Sequence, residues 1–279
     1  MTPALVATAL TLVVLSLFIV GLALRRRAFD RQLRTRLEAL AALPPAGLFS
    51  RDELEDLPEP AQRYLRHALG PGAPLARRVR LKMRGELRLA PLGPWLPFHA
   101  EEVLAPSEGF VWLASLGEGA RARRYAEALS KEGAARSVTL LGAPVMRGAD
   151  DEDRARAAAG RLAVECIWLP TVLLPSVGAR WQAVDDEQAR VEVATPFGAV
   201  PLTLRVYEDG SLRSVSTRRW DDKSEDGAFG WVPFHLTVDE EERFGRHTIP
   251  SRVRATWDAG TPRAWEFFRV QLLEADFLT

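Results

Sequence analysis

The sequence contains a single cysteine, Cys166, and only four histidines among its 279 residues. One cysteine cannot form an intrachain disulfide or supply a cysteine-rich zinc site. The histidines are scattered, and none belongs to a His-x-x-x-His or His-Glu-x-x-His pattern of the kind that binds zinc. We therefore expect no metal site.

Catalytic and phosphate-binding motifs are also scarce. The sequence has no Gly-x-Ser-x-Gly elbow, which argues against a serine hydrolase of that class. Residues 117–119, Gly-Glu-Gly, are too short for a dinucleotide loop, so we interpret them as a turn and the basic residues that follow as a solvated loop. The formal net charge is zero, which gives no support for a nucleic-acid partner. We expect no cofactor and assign no catalytic residue.

A long apolar run is the most informative feature that the sequence does contain. Every residue from 4 to 24 is apolar or a small Ser, Thr or Gly. At about 1.5 Å per residue, a helix of this length spans the roughly 30 Å hydrocarbon core of a bilayer. A cleaved signal peptide is the rival interpretation, but it would place basic residues before a shorter apolar core. Residues 1–27 are therefore predicted to form an uncleaved transmembrane anchor.

The residues after this run predict the orientation of the anchor. Residues 25–27 are all arginine, and the positive-inside rule places them on the cytoplasmic side of the bacterial inner membrane. An extracytoplasmic domain is the alternative. Residues 28–47 contain leucines spaced by three and four, which predicts a basic helical stalk and linker. Its arginines either contact anionic headgroups or remain solvated.

Residues 48–279 are predicted to form a single α+β domain. Ser50 and Glu53 form a capping-box pattern and Pro60 suits a first helical turn, so short helices are expected within residues 50–69. Apolar and charged residues alternate from 79 to 89, which predicts a half-buried antiparallel strand. Further strand-like stretches are residues 97–104, 110–115, 137–141, 179–184, 189–195, 200–207, 212–220, 231–238, 243–249, 252–257 and 265–273.

So many strands in hairpin order predict one large antiparallel sheet, and a sheet of that size should curl into a half-barrel-like form. One helix, predicted over residues 150–167, interrupts the series, and its apolar positions recur at three and four. A curled sheet has a concave face. This helix and the aromatic side chains are expected to fill it, so that the sheet packs on a few helices.

Two short motifs are specific when they occur together, namely Leu57-Pro58-Glu59-Pro60 with Arg63-Tyr64-Leu65, and Glu165 with Trp168-Leu169-Pro170. Weaker pieces are Gly85, Trp95, Phe98, Trp112, Trp181, Pro250 and Trp257. From about residue 48 onward, these segments resemble an uncharacterised family of bacterial membrane-anchored proteins. This family is known only as a domain of unknown function, so the resemblance implies no activity. More distantly, the predicted sheet resembles the half-barrel of bacterial lipoprotein carriers, a likeness of fold that implies a place outside the cytoplasm.

Glu165 is the polar residue that most needs an explanation. It lies near the end of the predicted helix among apolar residues, where a buried carboxylate requires a partner or a raised pKa. A sheet arginine such as Arg218 is the expected partner in a structural ion pair, and a carboxylate in a ligand cavity is the alternative. The tryptophans either form plain core or line that cavity. The predicted ligand-binding residues are Trp112, Glu165, Trp168, Trp181, Arg218 and Trp257.

Three functions fit these features. The one we favour is a non-enzymatic, membrane-anchored protein that binds a lipid or other apolar ligand between sheet and helix, with the bilayer and that ligand as partners. The second is a membrane-associated enzyme that uses Glu165, Glu101 and His99. His99 and Glu101 are alternate residues of one strand and so share a face. The third is a structural or assembly partner of membrane proteins, which would present an exposed apolar patch.

Overall fold

One antiparallel sheet organises the protein. The computed structural model describes residue 35 and residues 47–118, 122–140, 143–147, 152–223 and 227–278. The strands found in these residues are β1 (Arg78–Leu87), β2 (Leu96–Ala105), β3 (Gly109–Leu116), β4 (Arg123–Ser130), β5 (Gly133–Leu140), β6 (Ala143–Arg147), β7 (Arg180–Ala183), β8 (Gln188–Thr195), β9 (Gly198–Val206), β10 (Leu212–Asp221), β11 (Gly230–Phe244), β12 (His247–Trp257) and β13 (Trp265–Leu278).

The sheet order follows from the hairpin order of the chain. Within the described residues it is β6-β5-β4-β3-β2-β1-β13-β12-β11-β10-β9-β8-β7. The first and last strands, β1 and β13, pair at the centre, and β6 and β7 form the two edges. The large antiparallel sheet expected from the sequence is therefore confirmed.

The helices lie at two places along the chain. A 3₁₀ helix (Arg51–Leu54), capped by the Ser50 side chain, precedes α1 (Glu59–Ala68). The second helix, α2 (Glu152–Glu165), continues into three 3₁₀ turns, Cys166–Trp168, Pro170–Leu173 and Pro175–Val177. Because α2 and these turns connect the two edge strands, the chain crosses the open face of the sheet at this point.

The core lies between α2 and the concave face of the sheet. The helix packs against β3, β4 and β5 from one half of the sheet and against β8, β9 and β10 from the other. Its buried residues are small: Ala155, Ala157, Ala158, Ala159, Gly160 and Ala163 lie beside only Leu162 and Val164 as larger apolar residues. The sheet supplies bulk from buried aromatic residues that include Phe110, Trp112, Phe234 and Trp257.

Gly85 marks the closest approach of the two central strands. A Cβ atom at this position would lie 2.0 Å from the carbonyl oxygen of Arg269 on β13, so no other residue fits without moving a backbone. The register between β1 and β13 also shifts between Lys82 and Met83, two residues earlier. The glycine is thus required by strand packing.

Two sequence interpretations need correction. Residues 243–249 do not form a separate strand, because Gly245, with a φ of +63°, makes a tight turn that ends β11 and begins β12. Residues 123–130 form β4 and are not a solvated loop. Its inward-facing positions include Glu127, so the alternation of apolar and polar residues that signals a strand is broken there.

The predicted anchor, residues 1–27, lies outside the described residues. In the part of the chain that is described, no helix combines the length and apolar character needed to cross a bilayer. The predicted stalk, residues 28–47, is described only at Thr35, which is helical and exposed, and at Gly47.

Candidate functional site

One guanidinium group joins α2 to the concave face of the sheet. Arg161 on α2 donates from Nε to Glu165 Oε1 at 2.8 Å, one turn later on the same helix. It donates from Nη1 to Glu127 Oε2 on β4 at 2.9 Å, and from Nη2 to Glu102 Oε1 on β2 at 3.0 Å. All three carboxyl groups are buried, and Glu102 is 0% exposed. We call these four residues the Arg161 cluster.

The sheet places its share of the cluster through cross-strand register. Glu102 lies opposite Trp112, Trp112 opposite Glu127, and Glu127 opposite Arg136, in one row across β2, β3, β4 and β5. Residues directly opposite one another in a sheet share a face, so all four side chains point to the concave side. Arg136 Nη2 adds a hydrogen bond to Glu127 Oε1 at 3.3 Å.

Aromatic rings enclose the guanidinium group of Arg161. Its central carbon lies 4.8 Å from the ring centres of both Phe110 and Trp112. Tyr125 packs edge-on against Trp112, and its hydroxyl donates to Glu127 Oε2 at 3.2 Å. Cation–π contacts are strongest where water is excluded, so these rings strengthen the hold of the sheet on Arg161.

Glu102 and Glu165 form a carboxyl pair beside Arg161. Burial raises the pKa of Glu102 well above its usual value of 4.5; repulsion by Glu165 and a hydrogen bond with it also raise this pKa, while Arg161 opposes the rise. Burial likewise raises the pKa of Glu165 against the effect of Arg161. Burial and mutual repulsion therefore favour protonation of one of these two carboxyl groups in the folded protein.

Glu127 is the ionised member of the cluster. Burial alone would raise its pKa, but the charges of Arg161 and Arg136 outweigh burial and lower this pKa to about 2. The nearby charges therefore balance when Glu102 and Glu165 share one proton. Four carboxyl groups then face three guanidinium groups: Glu102, Glu127, Glu165 and Asp221 with Arg136, Arg161 and Arg219.

A polar pocket of about 130 Å³ opens beside the cluster, and Glu127 belongs to both. Arg136 and Arg154 line it together with Asp221 and Asp222, so both signs of charge are present. A second pocket, beside α1, is lined by residues that include Arg63, Asp185 and Asp186. None of the tryptophans predicted to bind a ligand lines either of these two pockets.

A second arginine, Arg219 on β10, also lies buried beneath α2. Its guanidinium carbon is 5.0 Å from the ring centre of Phe234 and 4.8 Å from that of Trp257. Gly160 packs on its side chain so closely that a Cβ atom there would lie 3.7 Å from the Cβ atom of Arg219. The helix therefore sits directly on this arginine.

The prediction that Arg218 forms an ion pair with Glu165 is wrong. Arg218 is exposed, and its Nη2 donates to the carbonyl oxygen of Trp231, whereas Glu165 binds Arg161 of its own helix. The physical reason is a register shift in β10 between Leu212 and Ser214. Because side chains alternate along a strand, this extra residue turns Arg219 inward and Arg218 outward.

The other predicted ligand-binding residues are dispersed through the core. Trp112 and Glu165 meet at Arg161, and Trp257 lies against Arg219. Trp168 is buried and donates from Nε1 to the carbonyl oxygen of Pro250 at 3.0 Å. Trp181 is half-buried and donates to the carbonyl oxygen of Leu173 at 2.8 Å.

The residues of the alternative enzyme hypothesis do not come together. His99 and Glu101 share a face of β2, as expected, but both are exposed on the convex side. Glu165 is buried on the concave side, where Glu102 faces it. The sheet separates the three proposed groups, so they cannot act on one substrate atom.

Sequence reasoning missed four residues of this site. Arg161 precedes Glu165 by four residues, a spacing that pairs side chains on a helix, and this signal was available. Glu102, Glu127 and Arg219 could be found only from the register of the strands and from the packing of α2 against them. No local pattern marks them.

Replacing Arg161 with methionine is expected to lower the free energy of unfolding by about 3–5 kcal/mol, because buried carboxylates lose their compensating charge. Urea denaturation of the full-length protein in detergent, followed by tryptophan fluorescence, measures this loss. Arg218→Met is the matched control, and its exposed position predicts a change within about 0.5 kcal/mol. Equal losses for the two variants would contradict the central role of Arg161.

Replacing Glu102 with glutamine is expected to flatten the pH dependence of stability. Because the pKa of Glu102 is raised in the folded state, native protein binds more protons than unfolded protein above about pH 4.5, and the free energy of unfolding falls as the pH rises. Glutamine keeps a neutral hydrogen-bonding group at every pH. Denaturation from pH 5 to 8 measures both slopes, with Glu101→Gln on the convex face as control. Parallel curves for wild type and Glu102→Gln would refute the shared proton.

Three solved structures are distantly similar in fold. The first is a domain from Vibrio parahaemolyticus named for outer membrane lipoprotein sorting, with 10% sequence identity over 72% of this chain and 86% of that chain and a TM-score of 0.43. The second is a LolA superfamily protein from Nitrosomonas europaea, with 11% identity over 78% of this chain and 91% of that chain and a TM-score of 0.41. The third is a DUF1329 family protein from Desulfovibrio piger, with 10% identity over 72% of this chain and 86% of that chain and a TM-score of 0.40. Two of these structures carry the lipoprotein-sorting and LolA names that match the resemblance stated from the sequence.

No curated protein matches the chain. The sequence profile described as Family of unknown function (DUF6544) matches residues 47–270, which include β1 to β12 and the first part of β13. The membership expected from the short motifs is therefore confirmed. The chain belongs to this family of unknown function.

Proposed function

We propose that the protein is a membrane-anchored binding protein for a lipid or other apolar ligand, which it holds between the concave face of the sheet and α2. The observation that supports this most is the small size of the residues that α2 buries. Five alanines and Gly160 are buried on this helix, which contacts both halves of a sheet that is rich in large aromatic side chains. The helix acts as a cover that an acyl chain can displace.

The apolar side chains that α2 buries are smaller than an acyl chain of a lipid. An alanine side chain buries a single methyl group, worth about 0.8 kcal/mol, whereas a leucine or phenylalanine buries about 1.5–3 kcal/mol. A helix that covers the sheet mainly with alanine therefore loses little apolar contact when it moves. An acyl chain, built entirely of methylene and methyl groups, replaces that contact on the aromatic face.

The Arg161 cluster gives this cover a polar attachment. Ion pairs among Arg161, Glu102 and Glu127 have demanding geometry, so they fix where α2 sits more than they add stability. In this proposal Trp112 and Trp257 touch the ligand, Glu165 moves with the helix, and Trp168 and Trp181 brace the segment behind α2 through their bonds to backbone carbonyls. Arg218, on the outer face, has no part in it.

The proposed anchor sets where the ligand comes from. Residues 1–27 would cross the bacterial inner membrane, with the domain on the cytoplasmic side and a lipid of the adjacent leaflet as ligand. The apolar run and the arginines after it support this topology. An extracytoplasmic domain would bind the same class of ligand from the other leaflet.

A disulfide that locks α2 to the sheet is expected to abolish ligand binding. The double variant Gly160→Cys, Arg219→Cys places two Cβ atoms about 3.7 Å apart, which suits a disulfide. It is made in a Cys166→Ala background to leave no other thiol. The full-length protein in nanodiscs is exposed to a photoactivatable phospholipid, and labelled peptides are mapped by mass spectrometry.

The reduced protein should be labelled on β3 and β12 peptides, and the oxidised protein should lose this labelling. Labelling of the peptide that contains residues 1–27 serves as internal control, because an anchor contacts lipid in both states. Equal labelling of β3 and β12 before and after oxidation would show that ligand does not enter beneath α2.

Sidedness and anchorage have a separate test. Fusion of green fluorescent protein to the C-terminus should give a fluorescent membrane fraction that resists alkaline extraction, because this reporter folds poorly after export. Fusion to alkaline phosphatase should be inactive. An active phosphatase fusion would instead establish the extracytoplasmic orientation, and release by alkali would disprove the anchor.

A further inference from the structure

The turn between β1 and β2 is the most exposed apolar segment of the described protein. We call residues 88–95, Arg-Leu-Ala-Pro-Leu-Gly-Pro-Trp, the hairpin tip. Leu92 is 100% exposed and Leu89 is 63% exposed. Pro91 and Pro94 restrict the backbone on either side of Leu92, which limits the conformations of the turn that presents it.

Arginine side chains surround the base of the hairpin tip. Two guanidinium groups lie over the ring of Trp95, with Arg88 at 4.9 Å and Arg269 at 4.3 Å from its centre. Arg88 also lies 5.7 Å from the ring centre of Trp265. Tryptophan, arginine and exposed leucine side chains occur together where proteins meet the headgroup layer of a bilayer.

The charge at this end of the sheet suits an anionic surface. Arg269 forms ion pairs with Glu266 and Glu86, which neutralise it in part. Arg88 makes no ion pair with a carboxylate of the described chain. Its Nε donates to the carbonyl oxygen of Glu266 instead, so its full positive charge is available to a phosphate group.

The hairpin tip lies at the end of β1 opposite to the point where the chain enters the domain. The chain enters where Leu48 pairs with Pro74, close to the start of β1, and the tip follows the far end of that strand. As a helix, the predicted stalk, residues 28–47, would be about 30 Å long. The 10 residues of β1 cover a similar distance, at about 3.3 Å each, so a stalk of this length is long enough for the tip to reach the bilayer.

From these observations we infer that the hairpin tip docks on the anionic surface of the bilayer that holds the anchor, with Leu89 and Leu92 among the acyl chains and Arg88 on lipid phosphates. The inference rests on the proposed anchor and adds a second, reversible membrane contact. It fixes the orientation of the domain, with the strand ends that carry the tip facing the bilayer.

Depth-dependent fluorescence quenching tests this contact in the full-length protein. Leu92→Cys, in a Cys166→Ala background, is labelled with nitrobenzoxadiazole and reconstituted in nanodiscs that contain anionic lipid and a brominated phospholipid. Strong quenching is expected at residue 92. The control position is Val184→Cys, which is 50% exposed at the opposite end of the strands and should remain unquenched.

Two further comparisons test the chemistry of the contact. Arg88→Glu in the labelled Leu92→Cys protein should reduce the quenching, and nanodiscs of zwitterionic lipid alone should do the same. Quenching at residue 92 no stronger than at residue 184 would overturn the docking, and quenching independent of anionic lipid would overturn the role of Arg88. Alkaline extraction is scored on membranes from cells that express the same variants, and lipid labelling beneath α2 is scored on the nanodiscs, so loss of the anchor or of ligand binding is recognised separately.

Discussion

The position of α2 depends on the neutralisation of one buried guanidinium group. Arg161 leaves water on entering the core, and this transfer is costly unless every donor finds an acceptor. Glu102, Glu127 and Glu165 supply those acceptors from two strands and from the helix itself. Because the three carboxyl groups carry more negative charge than Arg161 can balance, Arg136 and a shared proton complete the neutrality. Removing Arg161 leaves buried carboxylates without this compensating charge.

The rest of the interior is arranged around this attachment. The two halves of the sheet meet α2 from opposite sides, and Arg219 lies in contact with Gly160 of the helix. Small residues on the helix permit that approach, and aromatic residues on the sheet fill the remaining space. The ion pairs of Arg161 give the helix one defined position. Its small buried residues mean that little apolar contact is lost when the helix moves away. This combination is why we assign ligand entry to the space beneath α2.

Local patterns were sufficient for much of the architecture. Strict alternation revealed β1, and the threefold and fourfold spacing of apolar residues revealed α2, since both signals arise from neighbours along the chain. Hairpin order was enough to predict a single large antiparallel sheet. The pattern failed at β4, where the inward position of Glu127 is polar because its partner Arg161 comes from a helix far along the sequence. The glutamate that binds Arg161 is also the residue that interrupts the apolar side of the strand pattern.

The sequence by itself determined the long apolar run, the succession of hairpins and the helix that interrupts them, because each depends on residues close together in the chain. The pairing of Glu165 with Arg161 was also within its reach, four residues apart on one helix. Only the tertiary structure decided that Glu102, Trp112, Glu127 and Arg136 form one row, because that row depends on the register of four strands. It likewise decided that Arg219 faces inward in place of Arg218, since a single extra residue in β10 reverses which side chains reach the core.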